Sequence, residues 1–306
     1  MQVGIDLGGT KIEAAVLDAS GRFLFRERVP TPHNDYPATL HAIRDLVRAA
    51  ESALHGSCTC VGIGHPGSTN PTDGRIRNAN STCLNGQTLG TDLEALLQRP
   101  VRTANDADCL ALSETTDGSA RHDATVFGVI LGTGVGGGWV VNGRLLQGPN
   151  GLAGEWGHNP LPVSTTEELP GPACYCGRHG CIEAWLSGPA LVADYVRSGG
   201  SAAITDVPML IEAAAGADTH AQAALGRHTQ RLARALAVLI NACDPDAIVL
   251  GGGVSQRPGL IDALYAALPA HVFLPTGTPL RTHLRLPQFG DSSGVRGAAR
   301  LWSAAG

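Results

Sequence analysis

Three short apolar runs in this chain each end in a glycine-rich turn. Val3–Asp6 leads into Gly8-Gly9-Thr10-Lys11, Val126–Leu131 into Gly132-Thr133-Gly134-Val135-Gly136-Gly137-Gly138, and Ala247–Leu250 into Gly251-Gly252-Gly253-Val254. A short apolar run bounded by turn signals reads as a buried strand. Glycine at its end lets main-chain N–H groups approach a ligand closely and adopts positive φ without strain. Each loop taken alone is either a tight turn or a phosphate cradle; the same device at three strand ends favours the cradle. The first two loops are also followed by the same pattern. Ile12–Leu17 and Phe23–Val29 flank the turn Asp18-Ala19-Ser20-Gly21, and Trp139–Val141 and Arg144–Leu146 flank Asn142-Gly143. Strand, glycine loop and hairpin thus occur twice, which predicts two similar halves facing a cleft.

Helical spacing fills the intervals. Leu40, Ile43, Leu46, Val47 and Ala50 mark a helix over Pro37–Leu54, and Leu93–Leu97, Ala107–Glu114, Ala221–Ala242 and Leu260–Leu268 read the same way. Cys60–Ile63 and Val101–Thr103 are further strands, so strands alternate with helices and the expected class is α/β with sheets covered on both faces. The longest irregular stretch is expected at Asn150–Gly180. A chain of 306 residues accommodates two such cores.

Composition removes several classes of function. A net charge of −5 offers no basic footprint for nucleic acid. No run approaches the roughly 18 apolar residues of a membrane span, and the N-terminus lacks the basic and apolar regions of a signal peptide. The expected compartment is therefore the cytoplasm, with no membrane partner. In a chain of this kind eight cysteines do not read as a disulfide framework. Three of them, Cys174, Cys176 and Cys181, crowd together with His158 upstream, which is a tetrahedral zinc composition; redox or buried thiols are the alternatives. Cys58, Cys60, Cys83, Cys109 and Cys243 read as ordinary thiols.

Two nucleotide motifs fail. Gly132, Gly134 and Gly137 match G-x-G-x-x-G, but that fingerprint must open a helix, and Trp139-Val140-Val141-Asn142-Gly143 is β-branched and turn-like. No glycine-lysine-serine/threonine run supplies a Walker loop. The only lysine among 22 basic residues, Lys11, nevertheless sits at the end of the first glycine loop. A coding bias toward arginine explains the scarcity, and a phosphate contact is one explanation for the position.

The segments Asp6-Leu7-Gly8-Gly9-Thr10-Lys11, Asn105-Asp106, Gly132-Thr133-Gly134 with Gly136, Glu155-Trp156-Gly157-His158 and Cys174-Tyr175-Cys176-Gly177-Arg178-His179-Gly180-Cys181-Ile182-Glu183 resemble the ROK family of repressors, open reading frames and sugar kinases. The likeness continues to Gly294-Val295-Arg296-Gly297-Ala298-Ala299. The strings Asn78-Ala79-Asn80-Ser81-Thr82-Cys83-Leu84-Asn85-Gly86 and Gly290-Asp291-Ser292-Ser293-Gly294 look most like the bacterial manno/fructokinase branch. The resemblance implies an α/β actin-like ATPase (ribonuclease H-like) fold, with a smaller domain of residues 1–118 plus 291–306 and a larger domain of 119–290 carrying a zinc-binding loop. It also implies an ATP-dependent hexose kinase acting at O6, with fructose as the expected acceptor and mannose beside it. Glucose and the N-acetylhexosamines are alternatives within the family.

The resemblance assigns roles residue by residue. Asp106 is the expected general base, a role that phosphoryl transfer needs beside positioning and charge neutralisation; by type alone an Asp there is equally an N-cap. Asn80, Asn105, Glu155, His158 and Glu183 are expected to hold sugar hydroxyls, although Glu155 and His158 by spacing alone form a surface turn. Asp6 is expected to help hold Mg²⁺, directly or through water. Gly8, Gly9, Thr10, Lys11, Gly132, Thr133 and Gly134 are expected to meet phosphate, and Gly252 and Gly253 adenosine. His158, Cys174, Cys176 and Cys181 form the expected structural zinc site, where His158 can give one ring nitrogen to metal and the other to sugar. His65 departs from the pattern, which has a small or apolar residue there. A homodimer is the family's common state. Two non-enzymatic readings compete: a repressor, which needs a DNA-binding extension ahead of a first strand that begins at residue 3, and a sugar-sensing regulator without turnover, which the intact Asn105-Asp106 pair disfavours.

Overall fold

The computed structural model describes residues 1–303. In chain order the strands and α-helices are β1 (Gln2–Leu7), β2 (Lys11–Leu17), β3 (Phe23–Pro30), α1 (Tyr36–Ala53), β4 (Cys60–His65), β5 (Ser68–Thr69), β6 (Ile76–Arg77), α2 (Leu89–Leu97), β7 (Val101–Asn105), α3 (Asp106–Thr116), β8 (Thr125–Leu131), β9 (Val135–Val141), β10 (Arg144–Leu145), α4 (Ile182–Leu186), α5 (Gly188–Arg197), α6 (Val207–Ala215), α7 (Thr219–Cys243), β11 (Ala247–Gly251), α8 (Leu260–Ala267), β12 (His283–Arg285) and α9 (Ser293–Arg300). The two larger sheets have the orders β3-β2-β1-β4-β7 and β10-β9-β8-β11-β12. Each places a hairpin series beside strands reached by crossover, which is the internal repeat anticipated from the glycine loops. In the first sheet β1 pairs antiparallel with β2 and parallel with β4, and β4 pairs parallel with β7.

Contacts between Cα atoms divide the chain into two units. One comprises residues 1–128, 138–154 and 287–306, and the other residues 129–137 and 155–286. Beside the anticipated boundaries, the first unit gains residues 119–128, 138–154 and 287–290; residues 304–306 lie outside the described residues. The reason is local packing. Gly128 lies against the Ala111 side chain and Gly138 against the backbone of Ala107 and Asp108, where an added Cβ would come within 2.7 Å of the Ala107 carbonyl.

The first unit's core is built on β1, β2, β4 and α1, with Val3, Ile5, Leu7, Ile12, Ile43, Leu46 and Ile63 buried. α1 starts where Asp35 caps it, accepting from Ala38 N–H at 2.9 Å, and buries Ile43, Leu46, Val47 and Ala50 at helical spacing. The small residues of the C-terminal motif let α9 approach closely: a Cβ on Gly4 would meet the Ala299 Cα at 2.7 Å, and one on Gly297 would meet the Cys109 Cα at 2.7 Å. Helix α9 is thereby fixed against the sheet and α3, the two elements that carry Asp6 and Asp106.

In the second unit α7 runs for 25 residues and buries Leu232, Leu236 and Ile240. Its buried Arg231 and Arg234 reach Glu168 at 2.9 and 2.7 Å, and Arg231 also reaches Asp194 at 3.0 Å. These ion pairs tie α7 to the irregular stretch of residues 150–180, which has only 3-10 turns at Trp156–His158 and Thr166–Glu168. Guided by burial, the Glu168 carboxyl should ionise with difficulty, yet its bonds to Arg234 and Arg231 hold it down at about 2. Among the described residues no helix is long and apolar enough to cross a membrane.

Candidate active site and metal centre

In the first unit the β1–β2 turn is held from behind. Gly8 N–H donates to the Lys11 carbonyl at 3.0 Å, the Thr31 hydroxyl donates to the Gly8 carbonyl at 2.7 Å, and Thr31 N–H donates to the Thr10 carbonyl at 3.0 Å. Gly9 and Thr10 are left exposed at the tip, available to an oxyanion. Lys11 pairs with Asp291 at 3.8 Å, an exposed contact of little intrinsic strength.

Asp6 lies opposite Gly64 of the parallel strand β4, and its carboxylate packs against Gly294, where a Cβ would come within 2.8 Å of Oδ2. Its pKa is raised to about 7, chiefly by burial and then by the Asp106 and Glu13 carboxylates, with Lys11 and Arg28 pulling the other way. This excess of negative charge over local compensation fits a hydrated Mg²⁺, which takes few protein carboxylates and keeps its waters.

Strand β7 ends at Asn105 and α3 begins at Asp106, so the two residues straddle the junction. Asn105 takes the capping role that residue type alone also allowed for Asp106: its side-chain oxygen accepts from Ala107 N–H at 2.8 Å. Its amide donates to the Gly67 carbonyl at 2.8 Å. Asp106 therefore occupies the first helical position, and its Oδ1 accepts from Ala107 N–H at 2.8 Å.

Gly67, at φ +78°, lies against Ala79, where a Cβ would meet the Ala79 nitrogen at 2.7 Å. Asn85 pins Ala79 through both main-chain groups at 2.9 Å, leaving Asn80 exposed beside it. Gly67 thus touches the Asn80 segment and accepts from Asn105. The unusual His65 is fully buried, with Nδ1 2.9 Å from the Pro66 carbonyl and Nε2 3.2 Å from the Thr69 hydroxyl. Burial depresses its pKa, so the ring is neutral, with Nδ1 donating to Pro66 and Nε2 accepting from Thr69. It braces the turn that contains Gly67.

The second unit carries the other two glycine loops. The β8–β9 turn closes within Gly132–Gly134, where Gly132 N–H donates to the Gly134 carbonyl at 3.0 Å. This corrects the expected loop of residues 132–138: Gly136, Gly137 and Gly138 lie in strand β9, and no helix follows, so the dinucleotide fingerprint does fail. Gly252, at φ +84°, sits on the Leu131 backbone, where a Cβ would come within 2.8 Å of its nitrogen. The loop of Gly252 and Gly253 is therefore adjacent to the start of Gly132-Thr133-Gly134.

Glu155, His158 and Glu183 belong to this unit. Burial raises the Glu183 pKa, the bond from Val135 N–H opposes that, and the charges of His158 and Glu155 also act on it. One candidate ligand atom from each of His158, Cys174, Cys176 and Cys181 lies within 4.8 Å of all the others. His158 Nδ1 is 3.6 Å from Cys174 Sγ, and Cys176 Sγ is 3.6 Å from Cys181 Sγ. Such separations are those between corners of a tetrahedral zinc shell with metal–ligand bonds of about 2.0–2.3 Å. Burial and the neighbouring thiols push the Cys181 thiol up to about 12.

Two participants escaped sequence reasoning. Tyr175, between the first two cysteines, places its hydroxyl 3.1 Å from His158 Nε2 and its ring edge-on to the imidazole. Trp156 donates from Nε1 to the Gly136 carbonyl at 2.9 Å, fastening the Glu155–His158 segment to β9. The signal was present only as an aromatic inside each of two chemically loaded motifs.

Comparison with known proteins gives the family. The family model described as ROK family matches residues 2–305. N-acetyl-D-glucosamine kinase from Yersinia pseudotuberculosis serotype O:1b (strain IP 31758) is 40% identical over 307 residues, covering 98% of both chains. The enzyme of that name from Shigella flexneri is 38% identical, covering 98% of this chain and 99% of its own. Among solved structures, a ROK hexokinase from Thermus thermophilus matches with a TM-score of 0.82 at 34% identity, covering 97% of this chain and 96% of the other. A ROK family glucokinase from Streptomyces griseus, solved with glucose and AMPPNP, matches with a TM-score of 0.80 at 29% identity, covering 98% of each chain.

Proposed function

Since this chain belongs to the ROK family and has its actin-like ATPase fold, we propose that it is an ATP-dependent sugar kinase phosphorylating N-acetyl-D-glucosamine at O6. The observation behind the substrate is 40% identity to an N-acetyl-D-glucosamine kinase along 98% of both chains. It moves the acceptor away from the fructose expected from Asn78–Gly86 and Gly290–Gly294 and toward the N-acetylhexosamine alternative. Of those two strings, the first lies on the turn bearing Asn80, and the second runs into α9, where Gly294 packs against the Asp6 carboxylate.

In this mechanism the Asp106 carboxylate accepts the proton of the sugar O6 hydroxyl. The oxygen then attacks the γ-phosphorus in line, the bond from that phosphorus to the β,γ-bridging oxygen breaks, and ADP leaves. Gly8, Gly9, Thr10, Gly132, Thr133 and Gly134 offer N–H and O–H donors to phosphate oxygens, Lys11 adds a positive charge, and Gly252 and Gly253 take the adenosine. Asp6 would hold Mg²⁺, which when bound supplies charge neutralisation across the phosphates. Asn80, Asn105, Glu155, His158 and Glu183 orient the sugar, since carboxylates and an imidazole anchor O–H groups strongly. His158, Cys174, Cys176 and Cys181 would hold zinc in a closed shell that braces the loop and leaves chemistry to Asp106. The enzyme would work in the cytoplasm, as a homodimer like others of its family.

The test is ATP-coupled turnover on N-acetyl-D-glucosamine, N-acetyl-D-mannosamine, glucose, mannose and fructose, with the product identified by NMR. The highest kcat/KM should fall on N-acetyl-D-glucosamine and the new phosphate on O6. A higher value for fructose would restore the fructokinase assignment, and no turnover on any sugar would favour a non-catalytic sensor.

A further inference from the structure

Glu183 belongs to two pieces of machinery at once. It stands in the first turn of α4, immediately after Cys181 and Ile182, and Proposed function gives it a sugar hydroxyl. Its Oε2, however, accepts from Val135 N–H at 2.8 Å. That donor is the first residue of β9, directly after the Gly132-Thr133-Gly134 turn. We propose that Glu183 is a positioning residue for this phosphate loop, so that one carboxylate oxygen sets the loop while the other meets the sugar. The inference rests on the sugar and phosphate assignments above.

Four further contacts surround this tie. A Cβ on Gly134 would come within 2.7 Å of Glu183 Oε2. Gly134 is not in the left-handed region, so the missing side chain serves close approach of this carboxylate and not backbone freedom. At the start of α5, which follows α4 after Ser187, Gly188 N–H donates to the Gly132 carbonyl at 2.8 Å, so two successive helices hold the loop, one at each side. On the next residues Trp156 Nε1 donates to the Gly136 carbonyl at 2.9 Å, and Gly157 packs on Val135. Two of the segments that carry proposed sugar-binding side chains, the one with Glu155 and His158 and the one with Glu183, therefore close on Val135-Gly136. A sugar that orders Glu183 also orders the loop, and by linkage a nucleotide that orders the loop improves sugar binding.

The experiment measures Mg·ADP affinity by calorimetry on the full chain without sugar, and separately sugar KM. Glu183→Ala should weaken Mg·ADP about fivefold or more, the loss of one charge-assisted hydrogen bond that orders a loop. Glu183→Gln keeps an acceptor for Val135 N–H, and should hold Mg·ADP within about twofold while raising sugar KM. Gly134→Ala should weaken Mg·ADP in the native background and lose most of that effect when combined with Glu183→Ala, because the collision partner is gone. Mg·ADP binding unchanged in Glu183→Ala, or an equal cost of Gly134→Ala in both backgrounds, overturns the tie. If Glu183→Ala fails to fold, Gly134→Ala decides alone: a displaced carboxylate must raise sugar KM together with the Mg·ADP Kd, and a rise in Kd at unchanged sugar KM overturns the proposal. If no sugar is phosphorylated, the sugar assignment falls, while the nucleotide measurements still judge the tie.

Discussion

The two chemically loaded centres follow opposite electrostatic plans. In the first unit, Asp6 lies where burial and the carboxylates of Asp106 and Glu13 lift its pKa to about 7, with Lys11 and Arg28 offsetting only part of that. In the second unit, an imidazole and three thiols converge within 4.8 Å as a ligand set with the number and types of donor that one tetrahedral ion needs. On the proposed function, the first centre would be short of positive charge until cation and nucleotide arrived, as a transfer site must be if binding is to drive chemistry. The second would be complete in its protein ligands and would need only a resident ion. Perturbing the first should alter turnover far more than folding, and perturbing the second should alter folding and substrate fit before the chemical step.

The largest effect tests the first half of that contrast. Asp106→Asn keeps size and the capacity to accept from Ala107 N–H, but cannot take a proton from O6. It should lower kcat by about 10²–10⁴-fold, the usual contribution of a general base, with sugar and nucleotide binding and the melting temperature close to wild type. Near-native kcat in a folded variant would remove Asp106 from the mechanism.

How far the sequence announced these centres depends on whether each signal is local. The strand-end glycines were legible because an apolar run followed by glycine is read within a few residues, and both sheets kept the anticipated hairpin order. The cluster of Cys174, Cys176 and Cys181 was legible for the same reason, and His158 upstream completed a Cys3His composition that the family pattern reinforced. Gly136–Gly138 misled because a glycine in a strand looks like a glycine in a loop; Gly138 is there to let the start of α3 lie against β9. At the Asn105-Asp106 junction residue type could not assign the cap, since both side chains can cap, and the extended backbone of Asn105 decides it. Tyr175 was not legible at all, because one aromatic between two cysteines has no periodicity to mark it.

An intermediate effect tests the second half. Stripping the metal with a chelator, verified by elemental analysis, should raise sugar KM by about tenfold or more and lower the melting temperature by several degrees. The loop of residues 160–181 has little regular structure to keep His158 in place once its Nδ1 is released. Cys176→Ser should do the same more mildly, since it leaves three ligands. A metal-free protein with native sugar KM would mean that the cluster braces something other than the sugar residues.

The smallest effect is the most direct measure of how the centres differ, because it sets stability against activity at one residue. A carboxyl whose pKa rises on folding is protonated in the folded chain over a range where the unfolded chain has already lost the proton. With Asp6 moved from 3.8 to about 7, folding takes up a proton between those values, and stability must fall as pH rises through that window. Asp6→Asn removes the titrating group. It should flatten this slope and leave the metal-free, nucleotide-free protein more stable than wild type at pH 8 by about 1–3 kcal/mol, while turnover with Mg·ATP drops. Lys11 belongs to the same balance, since its charge lowers the Asp6 pKa even while its ammonium pairs with Asp291. Denaturant melts of wild type and Asp6→Asn from pH 4 to 8 give the answer as a difference in which titrating groups remote from Asp6 cancel. Parallel curves would show that Asp6 is already compensated in the empty protein, and the contrast between a centre that waits for its cation and one complete in its ligands would then be lost.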